Sequence, residues 1–313
     1  MAISKFLDPK NDVAFKKVFG SEKHKDILIH FINDILELKD NNQIKDVEYL
    51  SPIQDPEIAY KKQSIVDVLC KDKNGVQFIV EMQVAPTKGF QKRAQYYAAK
   101  AYSRQLNSGQ NEDGRYQNLK EVIFIAIADC IIFPDKSEYK SDHVILDKNN
   151  YDHDLQDFSF TFIELPKFKK ETIEELTSIV EKWCFFFKNA AKTSEEDLKR
   201  LIGSDLVIEQ AYDALSQFNW NEQELLAYDQ EIKRIRDNIA ALDYQYDKGI
   251  EKGREEGIEK GREEGITIGE ARGEEKSILK VARRMLQENT DIKFISSVTG
   301  LSTDEILKLK NKL

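Results

Sequence analysis

The stretch SIVDVLCKDKNGVQFIVEMQV, residues 64–84, contains two short apolar runs on either side of the polar segment KDKNG. Runs of this length, rich in valine and isoleucine and separated by a glycine-containing turn, predict a β-hairpin. Each predicted strand nevertheless carries an acid, Asp67 in the first and Glu81 in the second, and Gln83 follows two positions later. Because aspartate is depleted in strands, these carboxylates are candidates for a role other than strand formation.

Strand geometry relates these polar residues to one another. Side chains alternate between the two faces of a strand, so Glu81 and Gln83 share one face of the second strand. If the hairpin turns through residues 73–75, Asp67 pairs with Glu81, and the two Cβ atoms lie about 5 Å apart. A two-residue Asn-Gly turn would instead pair Asp67 with Met82 and send Glu81 to the opposite face. A shared site therefore requires an odd loop or a bulge.

Two carboxylates at this separation repel each other unless a cation lies between them. Mg²⁺ is the natural candidate, because it takes a few carboxylate oxygens and keeps waters for a substrate phosphate. An ion held in this way activates a water and neutralises the charge that develops on a phosphoryl oxygen. Gln83 can donate a hydrogen bond to the phosphate or orient the water, but it cannot act as a base. The alternative is a solvent-facing strand with ordinary polar residues.

The alanine-rich segment that follows, residues 90–106, predicts a helix with a basic face. No acid occurs between Glu81 and Glu112. One stripe of this helix combines basic and aromatic side chains, namely Arg93, Tyr97, Lys100 and Arg104. Such a stripe beside a metal pocket suits a nucleic-acid backbone. A solvated face with core tyrosines is the alternative interpretation.

Composition narrows the class of protein. The chain has 313 residues, a formal charge of −9, three cysteines without a CxxC pair and four scattered histidines. This pattern gives no zinc-ligand spacing, and the acidic total argues against indiscriminate coating of nucleic acid. No run approaches the roughly 18 apolar residues of a membrane span. We therefore expect a soluble cytoplasmic protein that does not contact a membrane.

The remaining elements predict a mixed α/β region followed by helices. Residues 11–20 and 23–38 have helical patterns, and residues 121–133 form a continuous apolar run typical of a strand buried on both faces. DHVILD and FSFTFIEL predict two further strands. After Pro166 the pattern becomes helical, which places a domain boundary near residue 170, with residues 171–248 packing on or following the core.

The carboxyl-terminal part contains a repeat. Glycine recurs at every fourth position from Gly249 to Gly273. Residues 249–274 therefore predict either a charged, helix-biased linker or a dimer stalk with a close-packing stripe. Residues 275–313 predict three helical pieces that resemble a helix-turn-helix. Because Asp304 and Glu305 open the last helix and would face phosphate, a packing or oligomerisation unit is an equal alternative.

The ordered blocks resemble the Rpn family of recombination-promoting nucleases, also described as putative transposases, within the PD-(D/E)XK nuclease superfamily. The resemblance covers roughly residues 1–170. The blocks are NDVAFKKVFG, KKQSIVDVLCKDKNG, FIVEMQV, KRAQYYAAKAYSRQL and GRYQNLKEVIFIAI. The resemblance implies a restriction-endonuclease-like α/β core with a four-stranded mixed sheet flanked by helices, and DNA cleavage that depends on Mg²⁺ or Mn²⁺.

The resemblance also assigns roles to individual residues. Asp67 and Glu81 match the two metal-binding acids, and the backbone carbonyl of Met82 is expected to complete the metal shell. Gln83 stands where lysine is usual in the superfamily, which removes a cationic group from the motif. An extra acid from the first helix often assists, and Asp12 is the candidate, although it could simply be a helix cap. Lys62, near the first strand of the hairpin, is a candidate phosphate contact. Arg93 and Tyr97 match the helix that follows the motif in the family, and the resemblance assigns them no role.

The leading functional hypothesis is therefore a Mg²⁺-dependent DNA endonuclease of the recombination-promoting, transposase-like type. The alternative is a catalytically weak or inactive DNA-binding or assembly protein on a nuclease fold, which forms homo-oligomers through its helical tail. An RNA-directed nuclease is a third reading, because metal and phosphate contacts do not distinguish the sugar.

Overall fold

The computed structural model describes residues 5–54, 64–106, 115–203 and 205–311. The chain forms two compact units, Met1–Ile235 and Arg236–Leu313. The first unit contains a mixed sheet with helices on both faces, and the second is helical. The α/β nuclease-like fold predicted from the sequence is confirmed, with two more strands in its sheet than the four implied by the resemblance.

The sheet of the first unit has six strands in the order β1-β4-β5-β6-β8-β7. Its central strands β5, β6 and β8 are parallel, and β1, β4 and β7 add antiparallel pairs at the two sides. The strands are β1 (Val47–Tyr49), β4 (Val68–Asp72), β5 (Gln77–Gln83), β6 (Val122–Ala128), β7 (Lys140–Ile145) and β8 (Leu155–Glu164). A separate antiparallel pair consists of β2 (Ile53–Gln54) and β3 (Ser64–Ile65).

The β4–β5 hairpin has the odd loop that the paired acids require. Val68 pairs with Val80, and Lys71 pairs with Gln77. Residues 73–75 form the loop, which Gly75 closes with φ +86°, a conformation that favours glycine. Of the two turns that the sequence allowed, the structure therefore has the three-residue loop and not the two-residue Asn-Gly turn.

The helices of the first unit cover the two faces of the sheet with different side chains. Helix α3 packs through small residues, Ala94, Ala98 and Ala101, against one face. The opposite face carries an aromatic core in which Phe19, Phe31 and Trp183 are in ring contact. The helices are α1 (Asp12–Phe19), α2 (Lys25–Ile35), α3 (Phe90–Arg104), α4 (Ile179–Asn189), α5 (Glu195–Ile202) and α6 (Leu206–Leu215).

The compact first unit extends past the predicted boundary at residue 170. Helix α4 contributes Trp183 and Phe187 to the same buried cluster as Phe15, Phe19 and Phe31 from the first two helices. Burial of aromatic side chains of this size dominates the energetics of a core. The helices after the sheet are therefore part of the core rather than an addition to it.

Helix α7 (Glu222–Gln287) contains the whole glycine repeat within 66 helical residues. The second unit ends with α8 (Ile292–Thr299) and α9 (Thr303–Lys310), which share a small buried cluster with the end of α7. Gly300 separates these two helices with φ +74°, and Ser302 and Glu305 form the predicted capping box. No helix in the described part of the chain is long and apolar enough to cross a membrane.

Candidate active site

Asp67 and Glu81 lie side by side at one end of the hairpin. The Asp67 N–H donates to Glu81 Oε2 at 3.2 Å, and the Met82 N–H donates to Asp67 Oδ2 at 2.8 Å. Asp67 lies in a bend immediately before β4, outside the ladder that ends with Val68 opposite Val80. The two acids are therefore close together as predicted, but through hydrogen bonds to the backbone rather than as a strand pair.

The local chain geometry explains why an aspartate is compatible with this position. The β4 ladder stops at Val68, and the Asp67 carboxylate replaces the next backbone acceptor for the Met82 N–H. Each of the two carboxylates thus uses one oxygen for the backbone of the neighbouring strand. The second oxygens, Asp67 Oδ1 and Glu81 Oε1, face cationic side chains instead.

Helix α1 brings a third carboxylate and a lysine to the same place. Lys16 Nζ lies 2.7 Å from Asp12 Oδ1 and 3.7 Å from Asp67 Oδ1. Asn11, not Asp12, caps this helix, because the Asn11 side chain accepts from Val13 N and Ala14 N. The interpretation of Asp12 as the helix cap is therefore wrong. Its carboxylate lies in the first turn, where the helix dipole favours negative charge.

Helix α3 contributes Arg93 from the other side. Its Nη2 atom lies 3.5 Å from Glu81 Oε1 and donates a hydrogen bond to Gln83 Oε1. The Gln83 amide nitrogen is also engaged, with the Ala85 carbonyl and, at 3.1 Å, with Thr87 Oγ1. The buried Arg93 Nε has no hydrogen-bond partner, which leaves one guanidinium donor unused at the site.

Burial raises the pKa values of the Asp67 and Glu81 carboxyl groups. Glu81 is only 6% exposed, and burial, followed by the charge of Asp67, raises the pKa of Glu81 to about 8. Burial also raises the pKa of Asp67, and the nearby Asp12 carboxyl reinforces that rise while the Met82 N–H opposes it. For Lys16, burial is outweighed by Asp12, Asp67 and Glu81, which together raise the ammonium pKa. These shifts indicate excess negative charge in a poorly hydrated site.

The donor set fits a hard divalent cation. Within the described ranges, no group of three or more His, Cys, Asp or Glu side chains is arranged as a metal-binding cluster. Asp67 Oδ1 and Glu81 Oε1 are nevertheless the two carboxylate oxygens that the N–H groups of Asp67 and Met82 do not use, and Mg²⁺ is often bound by one or two carboxylates with water in its remaining positions. The Met82 carbonyl remains a predicted additional ligand.

The predicted nucleic-acid contacts are distributed along α3 rather than gathered at the acids. The Arg93 guanidinium lies 5.9 Å from the Tyr97 ring centroid, so this pair is next to the carboxylates. Lys100 lies over the Tyr96 ring. Arg104, at the end of α3, lines a cavity of about 180 Å³ near the start of β5. Lys62 lies outside the described residues.

Sequence reasoning missed one charged residue of the site. Lys16 contacts both Asp12 and Asp67, but its basic side chain in a short amphipathic helix was unremarkable in the sequence. The available signal was spacing, because Lys16 follows Asp12 by four positions and therefore lies on the same helix face. Any site that uses Asp12 also receives the Lys16 side chain.

Comparison with known proteins identifies the family of the chain. A family model described as "PD-(D/E)XK nuclease family transposase" matches residues 9–245, a range that includes every site residue discussed above. No curated protein and no solved structure gives a significant match. Because the matched range covers well over half of the 313 residues, the chain belongs to the PD-(D/E)XK nuclease family transposases.

Proposed function

We propose that the protein is a metal-dependent DNA endonuclease that hydrolyses phosphodiester bonds. Membership of a nuclease family supports a nuclease-like function. The observation that carries the proposal is the proximity of Asp67 and Glu81, since the Asp67 N–H donates to the Glu81 carboxylate and each acid has one oxygen that these backbone hydrogen bonds do not use. Mg²⁺ or Mn²⁺ would be held by these oxygens and by the Met82 carbonyl, with Asp12 as an assisting acid.

A bound divalent cation supplies Lewis acidity, which favours ionisation of water and neutralises charge on the scissile phosphate. The protein's own contribution is to hold the carboxylates in place before the ion arrives. The Asp67 N–H holds the Glu81 carboxylate and the Met82 N–H holds the Asp67 carboxylate, and neither bond uses the second oxygen of the acid. Such preorganisation lowers the cost of assembling the site.

Arg93 and Gln83 act together in this proposal. The motif has glutamine where lysine is usual, and the Gln83 amide oxygen accepts a hydrogen bond from Arg93. Gln83 therefore positions a guanidinium beside Glu81 rather than contacting the substrate itself. Arginine recognises phosphate oxygens through its planar fork of donors. We assign the contact with the scissile phosphate to Arg93.

The rest of the α3 stripe would follow the nucleic-acid strand away from the cleavage point. Arg104 lies near Gln77, which is four residues from Glu81 on β5. At the usual rise of a strand, Gln77 and Glu81 are about 13 Å apart. Tyr97 and Lys100 lie between the two ends of α3 and would contribute stacking and charge. Lys62 remains a proposed further phosphate contact.

A cleavage assay tests the function. Purified protein is incubated with DNA and with RNA in Mg²⁺ or Mn²⁺, beside Asp67→Asn, Glu81→Gln and the control Glu121→Gln. Glu121 is a suitable control because its carboxylate accepts a hydrogen bond from Ser159 elsewhere on the sheet. We expect cleavage of DNA by the wild type and the control, and loss of cleavage in both site variants. Equal activity in all four proteins would reject the assignment.

The second candidate is a DNA-binding or assembly protein that has lost catalysis. The absence of a lysine at position 83 favours it, because the motif then lacks its usual cation beside the acids. This reading expects DNA binding that is indifferent to Mg²⁺, with no cleavage of DNA or RNA. Binding by filter retention or fluorescence anisotropy, with and without EDTA, separates the two candidates.

A further inference from the structure

Lys16 is the cationic side chain that contacts two carboxylates of the candidate site. Its ammonium lies 2.7 Å from Asp12 Oδ1, 2.9 Å from Asp12 Oδ2 and 3.7 Å from Asp67 Oδ1. Asp67 Oδ1 is the oxygen that does not accept from the Met82 N–H. The ammonium therefore interacts with the oxygen that the proposed function assigns to the metal.

The formal charges of the site show how the Lys16 ammonium and a divalent cation could compensate the same carboxylates. Asp12, Asp67 and Glu81 contribute three carboxylates, while Arg93 and Lys16 contribute two cations. If Lys16 leaves and all three carboxylates are ionised, three negative charges face one guanidinium, and the excess of two is what a single divalent cation neutralises. With Lys16 present, the ammonium supplies part of that compensation.

We propose that Lys16 is a tethered counter-ion that competes with the divalent cation for Asp12 and Asp67 and is displaced when the cation binds. The inference rests on the proposed metal site. It adds that the lysine stabilises the metal-free site and lowers its affinity for metal. The Lys16 side chain is 40% exposed, so its ammonium can move toward water without crossing the core.

A simpler explanation is an ordinary helix ion pair. Lys16 follows Asp12 by four residues, and such pairs stabilise a helix weakly whether or not a metal binds nearby. That explanation does not involve Asp67 and gives no reason for Lys16 to alter metal affinity. Metal affinity therefore distinguishes the counter-ion from the helix pair.

The test measures binding of Mg²⁺ or Mn²⁺ alone, by titration calorimetry, with no nucleic acid present. Lys16→Met removes the charge and keeps much of the side-chain length, while Lys16→Arg keeps the charge. Lys10→Met is the matched control, because Lys10 pairs with Asp129 at 2.8 Å rather than with Asp12 or Asp67. Thermal melts in EDTA establish that each variant folds, and Lys16→Gln replaces Lys16→Met if the latter does not.

We expect Lys16→Met to bind the metal about fivefold more tightly than wild type, the equivalent of one partly exposed ion pair. Lys16→Arg and Lys10→Met should stay within about twofold of wild type. In EDTA, Lys16→Met should melt at a lower temperature than wild type, and saturating Mg²⁺ should raise its melting temperature by more.

Two results would overturn the inference in different ways. If wild type and Lys16→Met bind metal with equal affinity, or if the variant binds more weakly, Lys16 is not a competing counter-ion, and the proposed function is unaffected. If neither wild type nor any variant binds Mg²⁺ or Mn²⁺, the metal site of the proposed function fails, and this inference fails with it.

Discussion

Replacing Glu81 with glutamine should remove much of the pH dependence of stability in the metal-free protein. Burial and the charge of Asp67 raise the Glu81 pKa from 4.5 to about 8. Between these values the folded state holds a proton that the unfolded state has released. This contribution to stability is therefore complete below about pH 4.5 and is lost as the pH rises through the folded pKa.

The size of the effect follows from linkage. One proton held only by the folded state changes the free energy of unfolding by about 1.4 kcal/mol per pH unit, so wild type should lose about 2–3 kcal/mol between pH 5 and pH 7. Asp67, whose pKa is also raised, adds a smaller loss over the lower part of this interval. Glu81→Gln cannot ionise, so the Glu81 contribution is absent from the variant.

Tryptophan fluorescence during urea denaturation in EDTA provides the assay. The only two tryptophans of the chain, Trp183 and Trp220, are both buried in the first unit, so their emission follows the unit that contains the site. We expect the stability of wild type to fall from pH 5 to pH 7 and that of Glu81→Gln to fall much less. If the stability of wild type and of Glu81→Gln changes with pH in the same way, Glu81 does not hold a proton in the folded protein at pH 5–7.

Three further predictions follow from the same geometry. Mg²⁺ should bind more tightly at pH 8 than at pH 6, because the ion must displace protons from the carboxyl groups of Asp67 and Glu81. Calorimetry in buffers of different ionisation enthalpy should detect the released protons, and an affinity that does not change with pH would argue against this displacement. Arg93→Gln should weaken DNA binding and reduce the slope of log affinity against log salt by about one, while the control Lys73→Gln in the hairpin loop should change neither the affinity nor the slope. An unchanged slope for Arg93→Gln would show that Arg93 does not contact phosphate. Gly257→Ala and Gly265→Ala should each stabilise α7 by about 1 kcal/mol, because an added Cβ meets no atom within 4 Å in the described chain outside the neighbouring backbone of its own helix. If light scattering instead shows that these variants lose assembly, a partner helix packs on the glycines.

The hairpin and its acids were predictable because they depend on local rules. Alternation along β5 fixed the common face of Glu81 and Gln83, and the glycine at position 75 allowed a three-residue loop. These rules left two alternatives, Glu81 or Met82 opposite Asp67, and the observed three-residue loop decides between them. The helix bounds of α3 and the burial of β6 likewise followed from local composition.

The remaining features depend on contacts between distant parts of the chain. The extension of the first unit to Ile235 arises from packing of Trp183 against Phe19 and Phe31, more than 150 residues away in the sequence. The contact between Arg93 and Glu81 depends on how α3 crosses the sheet, which helical periodicity does not determine. The edge strand β1 and the contact of Lys16 with Asp67 also depend on such distant contacts.

Metal binding by the two carboxylates can be measured directly, without nucleic acid, by titrating Mn²⁺ into the apo-protein and following the free ion by electron paramagnetic resonance. Wild type should bind about one ion per chain, as expected for one shared pair of acids, and both Asp67→Asn and Glu81→Gln should lose this binding. Binding of the same strength and stoichiometry in all three proteins would contradict a metal site between Asp67 and Glu81.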